Sequence, residues 1–341
     1  MNSAERVITA LRFEQPDRVP VFELMIDPRV IEGICHGCSY SDFVEKMDLD
    51  IAITGTPSSL YRHEKIPGEE DMFKTEWGEI RKITGEIVSF PVKCPIQSKE
   101  DLENYKPPDP LDPYRFEQLQ LLVKRFKGKK AIAMHLHDAF SYPTYLRGMS
   151  ELLMDIVADP DVVKTLVKLS VEHTKEIIRK ALKMGAEIIL FGDDYGGTGG
   201  PLISPRHFEE FFLPGLKEVV ETVKENGGYC IKHTDGNVNS ILSMIIKTGI
   251  DAIHPLDPIA GMDIKAVKNK YKICVIGNID TTELLSNASP EEVKRAVKKT
   301  IEEVAPGGGY IISSSNSIHS KVKPENYAAM LEAARMYGRY D

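Results

Sequence analysis

The sequence predicts an α/β fold, a (β/α)8 TIM barrel, on two observations. Short β-branched runs alternate with longer stretches of helical period, the signature of a parallel sheet with crossover helices. Most of those runs are apolar at successive positions, as strands are when a barrel interior and a helix layer cover both faces. A single barrel domain over residues 1–341 accounts for the length.

Eight strands are expected: Arg18–Met25, Asp50–Thr54, Lys130–His137, Glu187–Asp193, Tyr229–Thr234, Asp251–Pro255, Ile273–Ile279 and Tyr310–Ser315. Between them, Pro160 to Lys183 carries Val163, Leu166, Val167, Leu169 and Ile177 at three- and four-residue spacing, which predicts an amphipathic helix. Ser204-Pro205 opens another, with the hydroxyl as cap and proline at the permitted first position. It should run through Phe208, Phe211, Phe212, Leu216, Val219 and Val223 to Gly227-Gly228, kinked at Pro214. Ser289-Pro290 starts a third in the same way, and Pro324 a last one to about Tyr337.

Residues 56–129 break the rhythm and read as an insertion or lid after the second strand. A hairpin is expected there, Phe73–Ile83 against Glu86–Phe90 with its turn at Thr84-Gly85, followed by the proline-rich Lys106–Pro110.

Composition narrows the function. A net charge of −8, with acids and bases mixed along the chain, disfavours a phosphate backbone as partner. The first residues lack a signal-peptide pattern, and the longest apolar runs, such as Ala186 to Phe191, are too short to span a membrane. Five cysteines fit a reducing, cytoplasmic setting. Cys35 and Cys38 form a lone C-x-x-C without a second pair, and are expected as two small helix or loop residues in preference to a metal or redox site.

In a barrel of this kind the active site lies at the carboxyl ends of the strands. Those ends carry Glu23; Thr54 and Thr56; His135 and His137; Asp193 and Asp194; His233 and Asp235; His254 and Asp257; Asn278 and Asp280; and Asn316 with His319. Four of the nine histidines are among the strand ends, with His319 just beyond, which points to one shared pocket. His135 and His137 share a strand face, as do His233 and Asp235, a pair able to bind a divalent ion or form a base oriented by an acid. Asp193 and Asp194 point opposite ways, so at most one should enter the mouth while the other caps or salt-bridges. Gly196–Gly200 lacks the lysine of a P-loop, and Gly307–Gly309 precedes a strand, which argues against a dinucleotide site.

As an ordered set, several motifs resemble the uroporphyrinogen decarboxylase superfamily, which includes cobalamin-dependent methyltransferases. They are Pro16-Asp17-Arg18-Val19-Pro20-Val21, Trp77-Gly78, Phe191-Gly192-Asp193-Asp194-Tyr195 with Ile203-Ser204-Pro205, Phe211-Phe212-Leu213-Pro214, His233-Thr234-Asp235-Gly236-Asn237, Gly277-Asn278-Ile279-Asp280, Ala305–Gly309 and Pro324-Glu325-Asn326. The resemblance implies a barrel, and a family that often dimerises. It also exposes departures. Where the porphyrinogen decarboxylases carry an arginine-rich segment for substrate carboxylates, this chain has Leu24-Met25-Ile26-Asp27-Pro28-Arg29. Where the thiol methyltransferases hold zinc through His-x-Cys and a later Cys, it has His233, Asp235 and Asn316.

The missing thiolates turn the expectation towards the branch that moves a methyl group from a small donor, such as a methoxylated aromatic, to a corrinoid protein. By that resemblance cobalamin rides on the partner protein. His233, oriented by Asp235, is the expected proton donor, with Asp193 as a further catalytic group. A metal such as zinc would be held by His233 and Asp235, with His135 and Asp193 as further candidates. Phe22, Met25, Phe140, Tyr142 and Tyr195 are expected to wall the donor pocket, with His135, His137, His254, Asn278, Asn316 and His319 on the substrate. A cofactor-independent decarboxylase of a small carboxylic acid is the alternative, and a non-catalytic binding barrel a third.

Overall fold

The computed structural model describes residues 1–55, 62–85 and 88–340. Its strands are β1 (Ile51–Ile53), β2 (His63–Lys65), β3 (Met72–Thr75), β4 (Ile80–Lys82), β5 (Phe90–Lys93), β6 (Ala131–Leu136), β7 (Ile188–Phe191), β8 (Gly196–Gly197), β9 (Gly200–Pro201), β10 (Tyr229–His233), β11 (Ala252–His254), β12 (Cys274–Ile279) and β13 (Tyr310–Ser314). Seven of them form a curled parallel sheet in the order β1-β6-β7-β10-β11-β12-β13, a TIM-barrel-like arrangement.

The expected first strand, Arg18–Met25, is not a strand of that sheet. It runs alongside β13 through an isolated parallel bridge, Val21 to Ile312. There Phe22 N donates to Ile312 O (3.0 Å) and Ile312 N to Pro20 O (2.9 Å). The reason lies in Pro20 and Asp50. Pro20 has no N–H to give, and the N–H of Val21 goes to the buried carboxylate of Asp50 (2.8 Å) instead of a β1 carbonyl. Asp50 is in turn held by Arg6 (2.7 Å) and Arg18 (3.1 Å), so the segment is pinned by charge where a ladder was expected.

Alternation along the strands builds two cores. Ile51 and Ile53, Ala131 and Ala133, Ile188 and Leu190, Ile231, Ala252, Cys274, Ile276 and Ile311 point into the barrel together with Phe22 and Leu24. The first helix, Ser3–Leu11, adds Val7, Ala10 and Leu11 to that cluster. Ile132, Met134, Ile189, Phe191, Cys230, Ile253, Val275 and Ile312 face outward onto the helix layer.

The helices at Pro160–Met184, Pro290–Val304 and Pro324–Tyr337 lie where periodicity places them. The helix opened by Ser204 is divided: one turn at Pro205–His207, a π-helical turn at Phe208–Phe212, then Leu213–Glu225. Pro214 cannot donate to the preceding turn, and a widened turn ahead of it absorbs the lost bond.

The insertion differs from expectation in register. Its β2, β3, β4 and β5 form an antiparallel sheet in that order. The run expected as one strand, Phe73–Ile83, turns back on itself at Trp77-Gly78, because β3 pairs with β4. Gly78 takes φ +84°, which a side chain disfavours. β4 then pairs with Phe90–Lys93, while Glu86 and Ile87 of the expected partner lie outside the described residues. Thr56 lies outside them as well. Trp77 is buried, stacked on Tyr142 with ring centroids 4.2 Å apart, which ties the insertion to the helix Ser141–Arg147.

Cys35 and Cys38, expected only as two small helix or loop residues, are joined in a disulfide after the helix Pro28–Ile34. Among the described residues, no helix is long and apolar enough to cross a membrane.

Candidate active site

Strand parity carries specific side chains to the mouth. The inward positions Ala131 and Ala133 lead to His135; Ile188 and Leu190 lead to Gly192 and Asp194; Ile231 leads to His233 and Asp235; Ile311 leads to Ser313. A cavity of about 210 Å³ opens there, lined by Leu24, Met25, Arg81, His135, His137 and Tyr145 on one side and by Gly192, Asp194, His233, Asp235, Asn316 and Ser317 on the other. A larger hollow of about 860 Å³ against the antiparallel sheet holds none of the strand-end residues.

His233 is the centre. Its Nε2 faces two carboxylates, Asp194 Oδ1 at 3.4 Å and Asp235 Oδ1 at 3.6 Å. Asp194 is fixed by accepting from the backbone N of Asp235 (2.9 Å), and Asp235 Oδ2 accepts from Asn316 Nδ2 (2.8 Å). Burial alone would depress the imidazole, but the charges of Asp235 and Asp194 outweigh it and hold His233 above its ordinary value. Burial, with Asp194 nearby, pushes Asp235 up to about 6. On the other face of the ring, His233 Nδ1 lies 2.7 Å from His254 Nδ1.

One atom each of Asp194, His233 and Asp235 lies within 4.8 Å of the others, a group able to hold a cation. Asp235 Oδ1 is buried without a hydrogen-bond partner, as a ligand oxygen awaiting an ion would be. The set therefore fits a divalent metal, with nitrogen and oxygen donors in place of thiolates.

Asp193, expected as catalytic, does not line the cavity. Its buried carboxylate accepts from Phe140 N (2.7 Å), Ser141 N (3.0 Å), Asp138 N (3.2 Å) and His137 Nδ1 (2.6 Å). Desolvation opposes its charge, but the bonds and charges of His137 and Lys232 overcome this and hold the carboxyl far below the ordinary range. It orients His137 and ties down the start of the helix Ser141–Arg147. Its neighbour Asp194 is the acid at the mouth. Behind this layer Lys232 Nζ, fully buried, donates to Asp138 Oδ2 (2.7 Å) and Asp193 O (2.7 Å), while Tyr195 OH donates to Asp138 Oδ1 (2.5 Å).

The remaining expected residues divide. Met25, His135, His137 and Asn316 line the cavity. His135 is buried with neither ring nitrogen bonded, and burial holds it neutral, well below its ordinary value. Phe22 packs edge-on against His254 inside the barrel (5.8 Å), so both lie beneath the cavity and outside its lining. Phe140 and Tyr195 pack on each other and on Phe212 and Phe208 in the helix layer. Tyr142 is covered by Trp77. Asn278 Nδ2 donates to Leu256 O (2.8 Å), and His319 Nδ1 accepts from Lys321 N (3.2 Å). None of these five lines the cavity. The expected aromatic wall is largely core, because outward parity sends those side chains into the helix layer.

Arg81 and Tyr145 were not expected. Arg81 comes from β4 of the insertion, its guanidinium bound to both oxygens of Glu79 (2.8 and 2.9 Å) and to Ser89 Oγ (2.7 Å), and lying 5.1 Å from the Tyr145 ring centre. Only the folded insertion brings it to the mouth.

A TIM-barrel-like sheet with titratable side chains converging on one cavity defines an enzyme of the uroporphyrinogen decarboxylase superfamily. The description of that family, uroporphyrinogen decarboxylase (URO-D), matches residues 2–337, and the chain belongs to it. It is 24% identical over 254 residues to a uroporphyrinogen decarboxylase of Pseudoalteromonas atlantica, covering 71% of this chain and 70% of that one. A uroporphyrinogen decarboxylase of Aliivibrio fischeri is 26% identical over 262 residues, covering 73% and 71%. The solved structure of a methyltransferase from Methanosarcina mazei superposes with a TM-score of 0.79 over 99% of both chains at 17% identity, a likeness of fold.

Proposed function

We propose that this chain takes a methyl group from a small methylated donor, such as a methoxylated aromatic, and delivers it to a corrinoid protein. The observation that supports this most is the ring of Asp194, Asp235 and Asn316 about His233 Nε2. It is an acid- and imidazole-lined site without a thiolate to activate a thiol acceptor, and with one arginine whose charge is already matched by Glu79. An uncompensated cation cluster, which a polycarboxylate substrate needs, is absent from the described lining. The cavity, about 210 Å³, lies below the roughly 300–1,000 Å³ of sites for drug-sized ligands, so the donor is small.

The work of this chain is at the heteroatom. When the partner docks, its reduced corrinoid supplies the nucleophile that takes the methyl group. The bond from methyl carbon to oxygen or nitrogen breaks, its electron pair stays on the heteroatom, and His233 delivers the Nε2 proton there. Asp235 and Asp194 support the charged imidazole, Asn316 orients Asp235, and Met25, Leu24 and Tyr145 exclude water from the donor. Asp194, His233 and Asp235 would also hold a divalent cation such as zinc, which would stabilise the same leaving atom as a Lewis acid. These two uses of Nε2 exclude one another.

The test is the purified chain with a cobalt(I) corrinoid protein and a panel of methoxylated aromatics and methylated amines. Methylcobalt absorbance is expected with at least one donor. Silence across the panel with the cognate corrinoid protein present overturns the proposal. Arg81 at the mouth favours a second reading, a decarboxylase of a small carboxylic acid, which predicts carbon dioxide release without any corrinoid.

A further inference from the structure

Away from the mouth, the C-x-x-C turn between the helices Pro28–Ile34 and Tyr40–Lys46 carries chemistry that methyl transfer does not use. Cys35 and Cys38 are joined there. Lys46, the last residue of the second helix, brings its ammonium onto both sulfurs, with Nζ 3.3 Å from Cys38 Sγ and 3.5 Å from Cys35 Sγ. Cys35 is buried against the core, whereas Cys38 is half-buried and its contact with Lys46 lies in solvent. Of the two residues between them, His36 is exposed, and a side chain placed on Gly37 would meet no atom of the described residues within 4 Å.

The turn is held without the covalent bond. Cys35 N donates to Ile31 O (2.8 Å) and Cys38 N to Cys35 O (3.0 Å). Glu32 accepts from Gly37 N (2.9 Å), and Ser39 and Asp42 cap the next helix reciprocally. A bond between residues three apart closes too short a loop to remove much entropy from the unfolded chain. A disulfide that adds little to stability and stands open to solvent is of the exchangeable kind.

The other cysteines have the opposite setting. Burial pushes Cys94 up to about 11 and raises Cys230 and Cys274 above the ordinary thiol value, so these three stay protonated and unreactive. Exchange requires a sulfur within reach of an attacking thiolate, and a cation beside the sulfur that departs. Cys38 meets the first requirement, and Lys46 beside Cys35 meets the second.

We propose that Cys35 and Cys38 form a thiol–disulfide exchange site whose substrate is a dithiol reductant. One thiolate of the dithiol attacks Cys38 Sγ. The bond between Cys38 and Cys35 breaks, and its electron pair leaves on Cys35 Sγ beside the Lys46 ammonium. The second thiol of the reductant then loses its proton, attacks the reductant's own sulfur in the mixed disulfide, and releases Cys38 as a thiolate. The dithiol is oxidised to its disulfide, the protein is reduced, and the two protons of the dithiol pass to Cys35 and Cys38. None of the three residues lines the mouth cavity, so the site stands independently of methyl transfer.

Dithiothreitol is the probe, added to the full native chain prepared in air. Alkylation and peptide mass spectrometry should show two new thiols, at Cys35 and Cys38, with Cys230 and Cys274 unlabelled. The thermal midpoint should change by less than about 5 °C on reduction. Lys46→Met should slow reduction roughly three- to tenfold, while Lys46→Arg should stay within about twofold of wild type. Cys35→Ser, which frees Cys38, should form a mixed disulfide with oxidised glutathione, and Cys38→Ser, which leaves the buried sulfur, should not. The proposal is overturned by a pair of thiols that oxidised glutathione fails to join, by zinc held on the pair, or by a midpoint that falls further than about 5 °C. A Lys46→Met rate equal to wild type, or equal capture of glutathione by both serine variants, overturns it as well.

Discussion

Replacing Glu23 by Gln should change how stability depends on pH, and the structure sets both sign and size. A glutamate ionises near 4.5 when free, while burial beside Ser313 and Ser314 pushes Glu23 up to about 8. Between those values the folded chain keeps a proton that the unfolded chain has lost. Wild-type stability therefore falls as pH rises through that window, by about 1.4 kcal/mol per unit. Across the whole gap the ceiling is about 5 kcal/mol, and partial hydration of the ionised acid makes roughly 3–5 kcal/mol the expected range. Gln does not titrate, so this cost is absent from the variant. Tyr40 and Tyr327, the ionisable neighbours, are pushed to about 12 and well above the ordinary tyrosine value, and stay neutral throughout. Urea unfolding of both chains between about pH 5 and 9 is the assay. The two curves should converge at the acid end and separate as pH rises, with the variant more stable. Parallel curves across this window would refute the assignment of Glu23 as a buried neutral acid.

Three further outcomes follow from the site. Asp193→Ala strands three buried N–H groups and His137, so it should cost roughly 3–5 kcal/mol in unfolding measurements, whereas Asp194→Asn should unfold like wild type and lose zinc binding by calorimetry. The depressed carboxyl of Asp193 adds that its contribution is present at neutral pH and lost as pH falls below the usual carboxylate range. Gly192→Ala would drive a methyl group into His135 Nε2, so it should displace that ring and cost about 1–3 kcal/mol, read from the His135 NMR signals and a denaturation curve. Lys232→Met leaves Asp138 buried without its cation and should cost about 3–5 kcal/mol; adding Asp138→Asn should recover part of it in a double-mutant cycle.

The sequence alone determined the parallel α/β sheet, the principal helices, and a mouth centred on His233, Asp235 and Asn316. These were legible because they depend on period: inward side chains at alternate positions and helix caps of Ser-Pro type lie in contiguous residues. Asp194 was legible too. Counting inward from Ile188 and Leu190 through Gly192 reaches it, while Asp193 falls on the opposite face. The same count places Lys232, Phe191 and Tyr195 outside the barrel, and would have moved the aromatic wall into the core.

Other features had no local signal. That Arg18–Met25 would surrender its ladder depended on Asp50 claiming the N–H of Val21, a partner 29 residues away. Arg81 reaches the cavity only because β3 and β4 fold the insertion back at Trp77-Gly78. A hydrogen-bond chain from Glu23 through Ser313 and His254 to His233 joins four segments whose separation reaches 290 residues. Periodicity fixes which face a residue occupies, but hydrogen bonds across the barrel are settled by which strands the curled sheet makes neighbours. The tertiary structure alone therefore decided which of the strand-end groups meet, and which nitrogen of His233 faces the cavity.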